Sequence, residues 1–245
     1  MNVIGEIELQ GVKVSDSEVL RSGIQGVDSA FVEEDFKLDK VLIALANYDG
    51  NKAPGPNELN LNFIESHWGN IQEDFVNFVT EFHKNGSVVK DLNRTFISLI
   101  PKVNNVESMK NFRPISFVNS MYKILAKVLA NRLRKVLSLV IGESQMTFVK
   151  NRQIIDSSVI ADEIIHKWKK ESEGGLVVKL DFEKAYDSVD HRYLDSMMEG
   201  MGFGVRWRGW MKDYISTPMI SVLVNGSPTS QFGIETGLRH GDPLS

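Results

Sequence analysis

Apolar residues recur at three- and four-residue spacing along much of this chain, and the longest such register covers residues 120–141. Ile124, Leu125, Val128, Leu129, Leu133, Val136, Leu137 and Val140 share one side, and Lys127, Arg134 and Lys135 fall largely between them. That period predicts an amphipathic helix, with Ser120 able to cap its start and Gly142 suited to its end. A second helix is predicted from the acidic Glu33-Glu34-Asp35 through Phe36, Val41, Leu42, Leu45 and Ala46. Carboxylates in a first turn suit the helix dipole. Further helical periods cover residues 59–64, 71–82, 155–170 and 191–198, and a last one carries Trp207, Trp210, Met211 and Tyr214. Ile160, Ile164 and Trp168 lie on one side of their helix; Ile71, Phe75, Phe78, Val79 and Phe82 fall on one face, and Trp207, Trp210, Met211 and Tyr214 also recur at helical spacing. Such stripes predict core contacts rather than a ligand box.

The period shortens in four places. Residues 95–100, closed by Pro101, read as a strand. Leu176-Val177-Val178-Lys179-Leu180 is mostly apolar and β-branched, as in a buried or half-buried strand. Residues 219–224 alternate loosely, Asn225-Gly226 is a strong hairpin signal, and residues 231–234 supply a return strand, with Ser227-Pro228 lengthening the loop between. Asn51-Lys52-Ala53-Pro54-Gly55-Pro56-Asn57 sets two prolines around a glycine and dictates a fixed turn. The resulting fold class is α+β, in three parts: a polar lead-in over 1–35, a mainly helical region with a hairpin over 36–175, and a mixed region over 176–245.

Composition narrows the classes. With 245 residues, 42% of them hydrophobic, the chain can bury a substantial core. It has no cysteine, which excludes disulfides and thiolate metal sites, and its five histidines show no ligand spacing. No apolar run is long enough to span a membrane, and the N-terminus lacks the pattern of a secretory signal, so an intracellular protein is expected. Net charge is -4, which gives no global basic footprint. The charge is unevenly spread: residues 110–142 hold Lys110, Arg113, Lys123, Lys127, Arg132, Arg134 and Lys135 with no acidic residue. That block suits either phosphate contact or the solvated face of a helix.

The candidate chemistry gathers around Asp181. It stands at the end of the strand predicted over 176–180, a rigid place to hold a carboxylate for a metal ion, although an Asp there also serves as a turn former or helix cap. Asp187 and Asp190 follow, where a turn leads into a helix. The block Asp181-Phe182-Glu183-Lys184-Ala185-Tyr186-Asp187 resembles the first catalytic block of reverse transcriptases, in the branch of non-LTR retrotransposons and group II intron proteins. Four further stretches resemble the same family in the same order. They are Leu99-Ile100-Pro101-Lys102 with Asn111-Phe112-Arg113-Pro114-Ile115-Ser116; the helix containing Tyr122-Lys123 and Ala130-Asn131-Arg132-Leu133; the stretch from Gln145 through Arg152, with Asn151 at a position commonly Gly; and Thr236-Gly237-Leu238-Arg239-His240-Gly241-Asp242-Pro243-Leu244-Ser245, with His240 at a position usually Gln. The Lys52-Ala53-Pro54-Gly55-Pro56 loop is also similar, but Asn57-Glu58 stands where the family usually has Asp-Gly. Loss of that glycine predicts an altered loop.

The resemblance implies the fingers and part of the palm of a right-hand polymerase, cut before the Asp-Asp hairpin and the thumb. It implies RNA-directed DNA polymerase activity on an RNA template and DNA primer with deoxynucleoside triphosphates, two Mg2+ ions in the intact enzyme, and no membrane partner. The nucleus stays open as the compartment of the parent retroelement protein. Asp181 would be the catalytic metal ligand. Tyr186, Arg113, Lys102, Arg239, His240 and Gly241 would contact the incoming nucleotide, and Lys123, Lys127, Arg132, Arg134, Lys135 and Arg152 the nucleic acid. For Arg152 the alternative is a role in fixing its loop, and for Tyr186 it is core burial. The 245 residues contain no Asp-Asp pair, so a catalytically inactive retroelement remnant and a non-catalytic RNA-binding fragment are the competing readings.

Overall fold

The computed structural model describes residues 28–48, 50, 53–172, 175–180, 184–239 and 241–244. Asp181, His240 and the lead-in before Asp28 lie outside these residues. Asp28 accepts the Ala30 N–H at 3.0 Å and starts the short helix α1 (Ser29–Val32). Helices α2 (Leu38–Ala46), α3 (Leu61–Ser66) and α4 (Trp68–Asn85) follow. Asn60 caps α3 by accepting the Phe63 N–H at 2.8 Å, and Gly86, at φ 70°, closes α4. The hairpin of β1 (Arg94–Pro101) and β2 (Phe112–Val118) leads into α5 (Ser120–Val140). Then come α6 (Ile154–Glu171), α7 (His191–Gly200), α8 (Val205–Ser216) and the strands β3 (Met219–Val224), β4 (Ser227–Pro228) and β5 (Phe232–Gly233).

Helix α5 is the spine, as its long apolar register predicts. Tyr122, Ile124, Leu125, Ala126 and Leu129 are fully buried. Around it pack Phe75, Val79 and Phe82 of α4, Val41 and Ala44 of α2, and Trp207, Trp210 and Tyr214 of α8. The aromatic stripes of α4 and α8 are core, as expected, and burial of each large apolar side chain stabilises by about 1.5–3 kcal/mol. The sheet has the order β2-β1-β3-β4, with β5 also on β3. β1 runs antiparallel to β2, with Ile100 opposite Arg113, and parallel to β3, with Thr95 opposite Ile220.

Three expectations are corrected. Residues 176–180 are not a strand. Both edges of β1 are taken by β2 and β3, and among the described residues nothing pairs with 176–180, whose Leu176, Val177, Val178 and Leu180 are 64–79% exposed. Without ladder hydrogen bonds, β-branched composition alone does not make a strand. Second, Ser227-Pro228 does not lengthen the hairpin loop. Val224 pairs directly with Ser227, and Asn225 and Gly226 both have positive φ, at 51° and 81°. That is the two-residue turn whose twist matches the flanking strands. Third, the loop after Pro56 keeps its left-handed turn without the glycine. Glu58 holds φ 58° and donates its N–H to Gly55 O at 2.9 Å. The neighbouring Gly55 lies so close to α5 that a Cβ would sit 2.4 Å from the Asn119 nitrogen, and Asn119 Oδ1 accepts the Asn57 N–H at 3.0 Å. These contacts fix the turn and offset the roughly 1–2 kcal/mol that the left-handed region costs a side-chain-bearing residue. Helix α6 forms where predicted, but none of its residues is buried.

Candidate active site

Residues 236–239 dock on the turn over 184–189. Leu238 donates its N–H to Tyr186 O at 2.8 Å, and Gly237 donates to Val189 O at 2.9 Å. His191 Nε2 lies 2.8 Å from Gly237 O. The approach requires glycine: Gly237 has φ +84°, and a Cβ there would lie 2.7 Å from Asp187 O and 2.9 Å from Asp187 Cα. A cavity of about 290 Å3 opens beside this junction. Ile97, Pro114 and Ser116 of the hairpin form one wall, and Asp187, Glu235, Leu238 and Arg239 line other sides. The hairpin, the turn after Asp181 and the segment before His240 therefore meet at one place.

A buried polar cluster anchors the segment from behind. The Arg239 guanidinium donates to Asn93 Oδ1 at 2.9 Å, Thr95 Oγ1 at 3.3 Å and the Tyr122 hydroxyl at 2.5 Å, and pairs with Asp242 at 3.3 Å. It lies 4.4 Å from the Tyr122 ring centre and 5.1 Å from that of Tyr214. Tyr122 donates to Tyr214 O at 2.8 Å, and Tyr214 donates to the Asp242 carboxylate at 2.5–2.6 Å. Burial pushes both phenols well above their ordinary pKa, and the Asp242 charge adds to this, so both stay neutral donors. Burial opposes the charge of Arg239, but the Tyr122 hydroxyl that it bonds and the Asp242 carboxylate outweigh it and raise its pKa. The Arg239 side chain is only 4% exposed, so its charge is directed into the protein. Sequence reasoning misses this cluster: Tyr214 reads as a core position, Tyr122 and Asp242 appear only within family-like blocks, and nothing singles out Asn93. The available signal was a pair of tyrosine hydroxyls on otherwise apolar helix faces, each needing a partner.

Arg113 and Lys102 stand at the open end of the hairpin. Arg113 faces Ile100 across the ladder, and the Lys102 N–H donates to Asn111 O at 2.7 Å. Alternation therefore puts both side chains on one face. Lys102 Nζ donates to Lys110 O at 3.1 Å, while Arg113 is exposed and has no ion-pair partner among the described residues. Neither lines the cavity: Ile97, Pro114 and Ser116 do, and alternation turns Arg113 and Lys102 to the opposite face of the hairpin. Tyr186 is 40% exposed beside the cavity-lining Asp187. Gly241 is exposed at φ +78°. Asp190 is a helix cap: it accepts the Arg192 and Tyr193 N–H groups, and these bonds lower its pKa.

The cations of α5 and the following loop divide into two sets. Lys123 donates to Ala53 O at 3.2 Å, and Lys127 lies 5.6 Å over the Tyr48 ring. Arg132 is buried, stacks 4.1 Å from the Phe36 ring centre and donates to the carbonyls of Val32, Glu34 and Asp35, and burial pulls its pKa down to about 10. Arg152 donates to the carbonyls of Ile141, Gly142 and Gln145, which fixes its loop on the end of α5. Arg134 and Lys135 are exposed to solvent. Among the described residues no group of three or more His, Cys, Asp or Glu side chains is placed to hold a metal ion, and no helix is long and apolar enough to cross a membrane.

A family model described as reverse transcriptase (RNA-dependent DNA polymerase) matches residues 100–245, which include the second strand of the hairpin, the turn and the docked segment. The chain belongs to the reverse transcriptase family. It is 33% identical over 214 residues to the transposon TX1 uncharacterized 149 kDa protein of Xenopus laevis, a match covering 87% of this chain and 16% of that protein. It is 28% identical over 149 residues to the retrovirus-related Pol polyprotein from type-1 retrotransposable element R2 of Popillia japonica, covering 60% of this chain and 21% of that protein. The corresponding type-2 element R2DM protein of Drosophila melanogaster is 22% identical over 222 residues, covering 91% of this chain and 20% of its own length. This reverse transcriptase chain thus spans about a fifth or less of the relatives it matches. The resemblance read from the sequence blocks, to non-LTR retrotransposon reverse transcriptases, is borne out.

Proposed function

We propose that this chain is the nucleotide-receiving part of an RNA-directed DNA polymerase of a retroelement, with residues 36–175 as fingers and 176–245 as part of the palm. The observation that carries the reading is the docking of residues 236–239 on the turn over 184–189, beside a cavity walled by the fingers hairpin. In the reaction, a primer 3'-hydroxyl opposite an RNA template attacks the α-phosphorus of a deoxynucleoside triphosphate. The new phosphodiester bond forms as the bond to the leaving pyrophosphate breaks. Arg113 and Lys102 sit on one hairpin face, where two cations suit a triphosphate, and the planar fork of Arg113 matches paired phosphate oxygens. Arg239 acts through position: its internal bonds set where Leu238 and Gly241 stand. Asp181 is the proposed magnesium ligand. The described residues do not by themselves make a two-ion site, and such a site needs several carboxylates. Asp187 and Glu235 at the cavity do not complete it, and the 245 residues contain no Asp-Asp pair.

The Tyr186 ring decides between a sugar gate and a core residue. At 40% exposure it is not a fully buried side chain, which supports a ring that lies beneath the deoxyribose of an incoming nucleotide. A 2'-hydroxyl would then collide with it. The test is the ratio of kcat/KM for a deoxynucleotide over its ribonucleotide, in a protein carrying this chain together with the family's Asp-Asp segment. Tyr186→Val is expected to lower that ratio by at least about tenfold, since specificity is a difference in transition-state binding. An unchanged ratio in a folded variant contradicts the gate.

A further inference from the structure

A cavity of about 490 Å3 lies between the end of α4, with its closing turn (residues 84–87), and the outer side of α8. Val205, Gly209, Lys212 and Ser216 line it from α8, at the four- and three-residue spacing of one helix face. Lys84, Arg206 and Lys212 are exposed around it. Asp213 is the one carboxylate that lines it, and that group accepts the Val88 N–H at 2.9 Å. Asp195, within electrostatic reach of Lys212, is paired with Arg208 at 2.8 Å. Arg206 is held in place: it donates to His83 O at 2.8 Å and to His83 Nδ1 at 3.2 Å, and its guanidinium lies 5.5 Å from the Trp210 ring centre. Three cations thus surround one committed carboxylate, in a chain whose net charge is -4.

Gly209 supplies a separate observation. It is an interior residue of α8, and glycine is the poorest helix former after proline. Nothing within the described residues requires it there. A Cβ built on Gly209 meets no atom within 4 Å, unlike those on Gly55 and Gly237, which strike main chain. Nor does Gly209 take a positive φ. A glycine that neither packing nor backbone conformation demands leaves the main chain of α8 bare on an exposed face. Such a place lets the backbone of another molecule come close.

We propose that this groove docks an acidic segment of a partner protein, with its carboxylates on Lys84, Arg206 and Lys212 and its main chain crossing α8 at Gly209. Charge complementarity selects the sign of the partner, and the bare backbone at Gly209 admits another main chain. An unpaired nucleic-acid strand needs rings on which its bases stack. The one ring lining this cavity, that of Trp210, is 1% exposed. The groove shares no lining residue with the cavity beside residues 236–239, so partner docking is independent of the proposed polymerase function.

The test titrates the 245-residue chain into a fluorescein-labelled peptide of glutamate and alanine and follows fluorescence anisotropy, with a lysine–alanine peptide and an oligouridylate as controls. The wild-type chain is expected to bind the glutamate peptide at least about tenfold more tightly than the lysine peptide, and less tightly as salt rises. Lys84→Glu with Lys212→Glu is expected to weaken the glutamate peptide at least about tenfold, whereas Lys37→Glu with Lys40→Glu leaves it unchanged. Gly209→Leu is the decisive variant. It should raise the thermal unfolding midpoint, because leucine is a far better helix former, and still weaken the peptide about tenfold by covering the bare backbone. A lowered midpoint would give the glycine an internal role and overturn the docking site. Docking is also overturned if the wild-type chain does not prefer the glutamate peptide, if both charge-reversed variants lose binding equally, or if Gly209→Leu binds as wild type does. Displacement of the peptide by oligouridylate, lost in the same variants, would make the groove a nucleic-acid site and overturn the proposal.

Discussion

Arg239→Met is expected to destabilise the chain by about 3–5 kcal/mol, the usual consequence of stranding one partner of a buried ion pair. The Asp242 side chain is 2% exposed and would be left with only Tyr214 and the Leu244 N–H to bond it. Asn93, Thr95 and Tyr122 would each lose a partner as well. The damage should be partly reversible by adding Asp242→Asn, which removes the stranded charge and keeps an acceptor for Tyr214. Urea unfolding of wild type, single variant and double variant measures both effects. A single-variant loss below about 1 kcal/mol, as for exposed ion pairs, would show that the cluster does not anchor residues 239–242.

The second large effect belongs to Gly237. Gly237→Ala should cost about 2–4 kcal/mol, from a left-handed conformation that alanine disfavours and from a Cβ pressed against main chain that cannot rotate away. The nearest atoms are the Asp187 oxygen at 2.7 Å and its Cα at 2.9 Å. Relief requires the two segments to part. Hydrogen-exchange protection at the Leu238 amide, which donates to Tyr186 O, should then fall more than protection in α5. Unchanged stability with an unchanged Leu238 amide would mean that the two segments do not meet as described.

The helices were legible because their signal is repeated many times. In α5 eight apolar positions agree on one face, and no single exception could mislead. The sheet was legible only where signals are local. Asn225-Gly226 announces its own turn, but the parallel pairing of β1 with β3 joins residues far apart in sequence and leaves no mark on either strand. Residues 176–180 show the reverse error: the composition suits a strand, but pairing is a property of the neighbours. The candidate site divides in the same way. Lys102, Arg113, Tyr186 and Gly237 lie in contiguous blocks that carry the family pattern, so they could be named. The Arg239 cluster is assembled from a 3-10 turn, a strand, two helices and a loop, and no window of sequence contains it. Arg132 likewise reads as a nucleic-acid-facing cation because its carbonyl partners are backbone atoms, which sequence does not distinguish; for Arg152 the sequence leaves template contact and loop fixing both open.

The central claim is that the exposed cationic face of the hairpin, with Arg113 and Lys102, holds the triphosphate. Equilibrium dialysis of a deoxynucleoside triphosphate with Mg2+ against the 245-residue chain tests it, comparing wild type with Arg113→Ala. Arg113 is exposed and has no ion-pair partner among the described residues, so its removal should leave the thermal unfolding midpoint in place. A charge-assisted bidentate contact contributes about 1.5–3 kcal/mol, so the dissociation constant should rise roughly tenfold or more. An identical dissociation constant in the folded variant would contradict the claim.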